Sequence, residues 1–292
     1  MKSFLIKITV GLVFTLSLVA PFTFLKPPLL GGNIKPLIAE KKAKSPAKKV
    51  LKQVQEKPLH TVSLPDFGAI KDTKTKKKVF FDFIKPSIIK QNNLLRTTRV
   101  KLNTWLEQIS LEIPLSALQH QELNALAQQY RVSKKASILA KLNELLLRID
   151  IIPMPLALVQ AANESAWGTS RFARIGLNFF GIWCYEKGCG MVPTHRNAGA
   201  KHEVMAFQSL DEAVAYYFYT INTHNAYRVF RSIRFELRAQ DHALTAEILA
   251  TGLLAYSERG ADYVIDITKM LRQNAQYLTH PSSPEQALTA VD

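Results

Sequence analysis

Cysteine is nearly absent from this chain, which has two in 292 residues, Cys184 and Cys189, neither near the N-terminus. A lipoprotein signal, which needs a cysteine beside its apolar leader, is therefore excluded. A zinc site is also poorly served. The cysteines are spaced C-x4-C, but His195 and His202 have six residues between them, too many for the H-x3–5-H half of the usual C-x2–4-C and H-x3–5-H pattern. There is no Gly-rich phosphate loop, no G-x-S-x-G stretch and no internal repeat. Ser/His/Asp hydrolysis has no support, and neither a metal nor another cofactor is expected.

Acidic residues are scarce in the front of the chain. Residues 1–100 hold 20 Lys and Arg against 5 Asp and Glu, whereas residues 101–292 hold 18 of each. The net charge of +15 thus belongs to the front third. Such a segment contacts polyanions, such as anionic lipid or an acidic wall polymer, or serves as a solvated spacer. Its lysines alternate with Pro, Ala and Thr and no aromatic platform is interleaved, so nucleic acid is not an expected partner.

One long apolar run is present. Lys2 and Lys7 precede the uncharged residues 8–25, whose length lies near the short limit of the roughly 17–25 residues that span a bilayer. Residues 1–25 read as a signal peptide or an uncleaved anchor. Ser17, Leu18, Val19 and Ala20 do not form A-x-A, and Pro21 would follow the cut. This favours a bacterial inner-membrane anchor facing the periplasm over a cleaved signal that releases the protein there. Residues 26–90, with Pro and Gly punctuation and Lys clusters, read as a flexible basic linker able to meet anionic lipid. Val79, Phe80, Phe81, Phe83 and Ile84 at its end are placed to dock on a folded domain.

From residue 91 to 280 the pattern is that of a folded domain, mainly helical, followed by a Pro/Ser-rich tail at 281–292. Val100, Leu102, Trp105 and Ile109 share one broad face, as do Leu118, Leu123, Leu126 and Tyr130. Ser116 and Gln119 form a capping-box pattern. Ile138, Leu142, Leu145 and Leu146 follow before Pro153. Pro155 opens a further helix running to about Trp167, with Gly168 suited to a left-handed cap. Residues 181–207 have no helical period and read as a small hairpin lobe or long loop. In an oxidising compartment Cys184 and Cys189 are expected to bridge there. Helices resume behind Ser209, with Asp211 and Glu212 in the first turn.

The residue that asks for explanation is Glu164, at the end of the apolar helix "LVQAANESAW". It shares a face with Ala157, Gln160 and Ala161, two of them small, which leaves room for something bulky. In a last turn the helix dipole disfavours a charged carboxylate, and Trp167 can wall it with apolar surface. Both effects raise a carboxyl pKa, as a glycosidase general acid requires. An ordinary solvated helical Glu is the competing reading.

The series "AANESAWGTSRFA", "NFFGIW", "FQSLDEAVAYYF", "NTHNAYRVF" and "LAYSERGADYVIDI" resembles, in order and spacing, the bacterial peptidoglycan N-acetylglucosaminidases of glycoside hydrolase family seventy-three. Flagellar-rod hydrolases and wall autolysins belong to that family, and its Bax-type members, membrane-anchored or secreted, are the nearer likeness. The likeness spans about residues 135–280. It implies a lysozyme-like α+β fold, with helices in one lobe, a β-hairpin in the other and a glycan groove between them. It implies hydrolysis of the β-1,4 bond between N-acetylglucosamine and N-acetylmuramic acid, with Glu164 as general acid. Trp167, Tyr227, Tyr256 and Tyr263 match positions expected to line the substrate site.

The chain departs from the family at the hairpin. Where many members carry a Thr-x-Glu stretch, it reads Thr194, His195, Arg196. Glu203, and behind it Glu186, are the remaining candidates for a second catalytic carboxylate; otherwise the substrate acetamido group assists. Alternation along the return strand gives Glu203 the better chance of facing Glu164. A lysozyme or lytic transglycosylase cutting the other glycan bond, and a non-catalytic wall-binding protein, are the competing functions.

Overall fold

An apolar stripe that begins well before residue 91 builds the first and longest helix. In the computed structural model, which describes residues 57–193 and 202–278, α1 runs over Thr73–Ser110. Asp72 caps it, its carboxylate accepting the Thr75 N–H at 2.7 Å. Phe81, Ile84, Ile88, Asn92, Leu95, Leu102 and Trp105 recur at helical spacing and are all buried. The expected linker boundary near residue 90 is therefore corrected, because residues 73–90 are the first half of a core helix. Its lysines lie outside the buried stripe, and Pro86 sits on the exposed side. A proline inside a helix removes one backbone hydrogen bond at about 3 kcal/mol, which the burial of Phe80, Phe81, Ile84 and Ile88 offsets. The expected leader at 1–25, residues 26–56 of the linker and the 281–292 tail lie outside the described residues. Among those described, no helix is long and apolar enough to cross a membrane.

Two shorter helices pack beside α1. In α2 (Ala117–Gln129) the capping box between Ser116 and Gln119 is present. In α3 (Ile138–Arg148) Leu142, Leu145 and Leu146 are buried as expected. Val100 and Leu118, expected on inner faces, are exposed. Val100 lies two residues from Leu102, about 200° around the helix, and Leu118 lies about 140° from Leu123.

The junction between α3 and the next helix is held by buried charge. Arg234 lies in α7 (Arg228–Ala239) and donates to the carbonyls of Leu147, Arg148, Asp150 and Ile151 and to the Asn222 side chain. It thereby satisfies the open end of α3. The Asp150 carboxylate accepts two bonds from Arg238, each 3.0 Å, and pairs with Arg99 of α1 at 3.5 Å. Burial alone would push Asp150 up, but the Arg238 bonds and the Arg234 and Arg99 charges reverse this and hold it below its ordinary range. Asn92 clamps Ile152 from the other side, bonding both its N–H and its C=O. The chain therefore enters α4 (Met154–Glu164) on a fixed path.

Helix α4 runs through the middle of the core, buried at every position from Leu156 to Ala162. After α5 (Arg171–Gly176) come three very short antiparallel strands, β1 (Trp183–Cys184), β2 (Gly190–Met191) and β3 (Glu203–Met205), ordered β1-β3-β2. Trp183 pairs with Val204 and Cys184 with Glu203; on the other side Met191 pairs with Val204. Cys184 and Cys189 are bridged. Ser209 then caps α6 (Leu210–Thr223), which packs on α1. Short 3-10 turns at Asn225–Tyr227 and Thr251–Tyr256 flank α7 and α8 (Ala246–Ala250), and α9 (Ala261–Gln273) returns against α4. The fold is mainly α with a small β lobe, the lysozyme-like α+β arrangement expected.

Candidate active site

Glu164 is the last residue of α4, where the open carbonyls carry the negative end of the helix dipole. The helix ends three residues earlier than Trp167. The Ser165 hydroxyl donates to the Ala161 carbonyl at 2.6 Å and accepts the Gly168 N–H at 2.9 Å, which folds the chain back on itself. Ala166, Trp167 and Gly168 follow in the left-handed region, at φ 50°, 58° and 77°. Such a backbone costs a non-glycine residue about 1–2 kcal/mol. The turn is held from outside by Phe67, whose ring stands 2.4 Å from where a Cβ on Gly168 would be.

This turn redirects Trp167. Its ring packs edge-on against Phe80 and Phe81 of α1, at 5.6 and 5.3 Å between centroids, with the Lys77 ammonium 5.4 Å away. Trp167 was expected to wall Glu164 and to line the substrate site; instead it joins the turn to α1. The small face of α4 is also filled. Ala157, Gln160 and Ala161 are fully buried, and the bulky neighbour is Tyr263 of α9.

Four tyrosines surround the carboxyl instead. Tyr217, Tyr227, Tyr256 and Tyr263 all feel the charge of Glu164. Tyr217 donates to the Gln160 carbonyl oxygen at 2.6 Å, and the Gln160 amide donates to the Tyr263 hydroxyl at 3.0 Å. With that lone pair taken, Tyr263 turns its own proton to Glu164. The Asn163 amide supplies a second bond to Glu164 at 3.0 Å. Tyr256 stacks on Tyr263 at 5.4 Å and donates to the Phe180 carbonyl at 2.8 Å. Tyr227 lies 5.8 Å from Tyr256, its phenol pushed up to about 12, first by burial and then by Glu164. Tyr227 and Tyr256 are half-buried and stand near enough to Glu164 to feel its charge. Tyr263, 1% exposed, has almost no surface for a substrate and supports Glu164 from behind.

Burial raises the Glu164 carboxyl above its ordinary value of 4.5, and the bonds from Asn163 and Tyr263 and the Arg259 charge only partly restrain it. Across the carboxyl runs the Asn-Phe-Phe-Gly-Ile stretch. Asn178 is buried and ties this loop to itself and to β3, donating to the carbonyls of Ile182 and Met205 and accepting the N–H groups of Phe180 and Ile182. Gly181, at φ 65°, is the point of closest approach, since a Cβ there would stand 3.3 Å from Glu164 Oε2. Phe180 stacks on Tyr217 at 4.1 Å.

The hairpin carboxylates are elsewhere. Glu203 is 5% exposed, and its two oxygens accept the N–H groups of Gly188 and Gly190 at 2.9 to 3.1 Å. It clamps the disulfide loop, which corrects its expected place as a water-activating base facing Glu164. Alternation fails there because both Glu203 and Val204 are buried within the lobe. Glu186 is exposed inside that same loop. Thr194, His195 and Arg196 lie outside the described residues. Among those described, no group of three or more His, Cys, Asp or Glu is gathered as a metal site would need.

Sequence reasoning put Gln160 on the Glu164 face and Asn178 and Gly181 in a family motif but gave none of them a role, and it gave Tyr217 none either. A polar Gln in the apolar run "MPLALVQAA" was the available signal, since a buried amide demands partners.

An acid of raised pKa at the end of a core helix, faced by tyrosines across a tight loop, is an arrangement that can hold and deliver a proton. Residues 139–276 match the glucosaminidase family model, described as mannosyl-glycoprotein endo-beta-N-acetylglucosaminidase, which places the chain among the glycoside hydrolases. Over 218 residues, 74% of this chain and 76% of the relative, it is 33% identical to Protein bax of Escherichia coli (strain K12). The chain belongs to the Bax-type glucosaminidase family, consistent with glycoside hydrolase family seventy-three. No solved structure matches it.

Proposed function

We propose that the protein is an exported peptidoglycan hydrolase that cleaves the β-1,4 bond between N-acetylglucosamine and N-acetylmuramic acid. In this reading Glu164 is the general acid. The observation that carries it is the setting of that carboxyl, at the end of a buried helix, raised by burial, with Tyr263 and Asn163 fixing its orientation.

In its protonated state Glu164 delivers its proton to the glycosidic oxygen as the bond to the sugar breaks. Positive charge then develops on the anomeric carbon, and Glu164, now a carboxylate, stabilises it. Tyr263 and Asn163 donate to that carboxylate and favour it once formed. With Glu203 committed to the Gly188 and Gly190 amides, the acetamido group of N-acetylglucosamine takes the second role. Its carbonyl oxygen closes on the anomeric carbon, and water opens the ring so formed, returning a proton to Glu164.

Export is supported by the apolar residues 8–25 behind Lys2 and Lys7, and by a disulfide that suits an oxidising compartment. In this account the basic linker lies along anionic lipid.

The test is the full chain on isolated sacculi, with mass analysis of the fragments. N-acetylglucosamine at the new reducing ends supports the proposal. N-acetylmuramic acid there, with or without an anhydro ring, makes the protein a lysozyme or lytic transglycosylase. Binding without any cleavage makes it a wall-binding protein.

A further inference from the structure

We propose that Trp183 is a sugar-stacking platform that seats the glycan residue next to the one Glu164 protonates. The proposal rests on the reading of this chain as a glycan hydrolase and names a subsite for it. Trp183 follows Gly181 by two residues, and Gly181 is the backbone point pressed against Glu164. Two residues of extended chain span at most about 7 Å, so the indole stands within reach of a neighbouring sugar ring. It begins β1 and is 49% exposed, whereas Trp105 is buried and Trp167 is packed against α1.

A large aromatic ring in the open loses apolar burial that a core position would give it. The lobe nevertheless spends several devices on keeping this ring still. One side of the indole lies flat on the His202 imidazole, at 4.4 Å between centroids and 10° between planes. Trp183 is paired with Val204 in the β1–β3 ladder, and the next residue, Cys184, is covalently tied to Cys189. Glu203, beside His202, clamps the Gly188 and Gly190 amides. Asn178 fixes the lobe to the loop that faces Glu164. The result is a rigid aromatic plane, backed on one face by an imidazole and open to solvent.

A flat aromatic face carries partial negative charge, and its edge partial positive charge. The axial C–H bonds of a β-linked pyranose present a flat, weakly positive surface that complements it. A peptide stem or a lipid chain offers no such plane. A glycan strand running from Glu164 toward the lobe therefore meets an indole where its adjacent ring arrives.

The experiment uses full-length protein and glycan strands released from isolated sacculi. On a Glu164→Gln background, which binds without cutting, the strands should change the indole fluorescence. Trp183→Phe on that background should abolish most of the change, and Trp105 and Trp167 should report nothing. In the active protein, Trp183→Ala should raise KM about five- to tenfold with kcat nearly unchanged, and Trp183→Phe should recover part of the loss. If the fluorescence change survives Trp183→Phe, or if Trp183→Ala binds and cuts like the parent, the platform is refuted while the hydrolase reading stands. If the parent neither binds nor cuts the strands, the hydrolase reading itself is refuted, and the platform with it.

Discussion

Gly181 backs directly onto Glu164, so that a single methyl group added to the glycine would stand 3.3 Å from the carboxylate oxygen Oε2. The relationship explains why a glycine occupies the middle of the loop. Its φ of 65° is a conformation that L side chains resist, and the space beside it belongs to the carboxyl. Gly181→Ala should therefore destabilise the fold by about 1–2 kcal/mol from the backbone alone. It should also displace the Glu164 carboxyl and lower kcat. Denaturant midpoints and steady-state kinetics on the same preparation check both; wild-type kcat in the variant would show that the contact has no bearing on catalysis.

The raised pKa of Glu164 makes a stability prediction of definite sign. A carboxyl whose folded pKa lies above its unfolded value contributes most at low pH, and that contribution is lost as pH rises through the folded value. At neutral pH the native protein therefore carries a penalty that glutamine does not. Glu164→Gln should melt higher than the parent near pH 7.5, and the gain should fade as pH falls below the ordinary value of 4.5. Calorimetric melts at the two ends of that range measure it.

Tyr263 restrains this pKa by donating to the charged carboxyl. Tyr263→Phe removes the donor, so Glu164 should hold its proton to higher pH. The alkaline limb of the pH–rate profile, where the general acid is lost, should move up. The same change leaves the buried Gln160 amide without its acceptor, at about 1–3 kcal/mol of stability. A profile that stays in place would mean that the Tyr263 hydroxyl does not act on Glu164.

Asp150 behaves in the opposite way. Its pKa is held down by the arginines, so its contribution is present above the ordinary value of 3.8 and lost as pH falls through the lower folded value. Asp150→Asn should destabilise the protein by about 3–5 kcal/mol at neutral pH, because it strands buried guanidinium charge. The difference should narrow in acid. Urea titrations at pH 7 and at pH 3 test this.

Much of the fold was legible. Ser116, Ser209 and the Leu142, Leu145 and Leu146 stripe stand where local chemistry places them, because caps and amphipathic faces are decided within a few residues. The start of α1 was not legible, because its solvent side is rich in lysine and holds Pro86, and composition averaged over a window hides a narrow apolar stripe. In the site, Glu164 was legible from its place at the end of an apolar helix. Tyr227, Tyr256 and Tyr263 entered only through the family likeness, since Tyr263 meets Glu164 through α9 packing on α4, and the place of Trp167 was not legible because two left-handed residues that no propensity favours carry it to α1. Glu203 misled because strand alternation gives a face but not which face the lobe buries.

The central claim, that Glu164 is the acid that cleaves the glycan, is tested most directly by comparing Glu164→Gln with the parent on the same sacculi and following the release of new reducing ends. The account predicts a rate lower by at least about 10²-fold, with the fold intact and glycan binding retained. Release at close to the parent rate by a folded Glu164→Gln protein would contradict it.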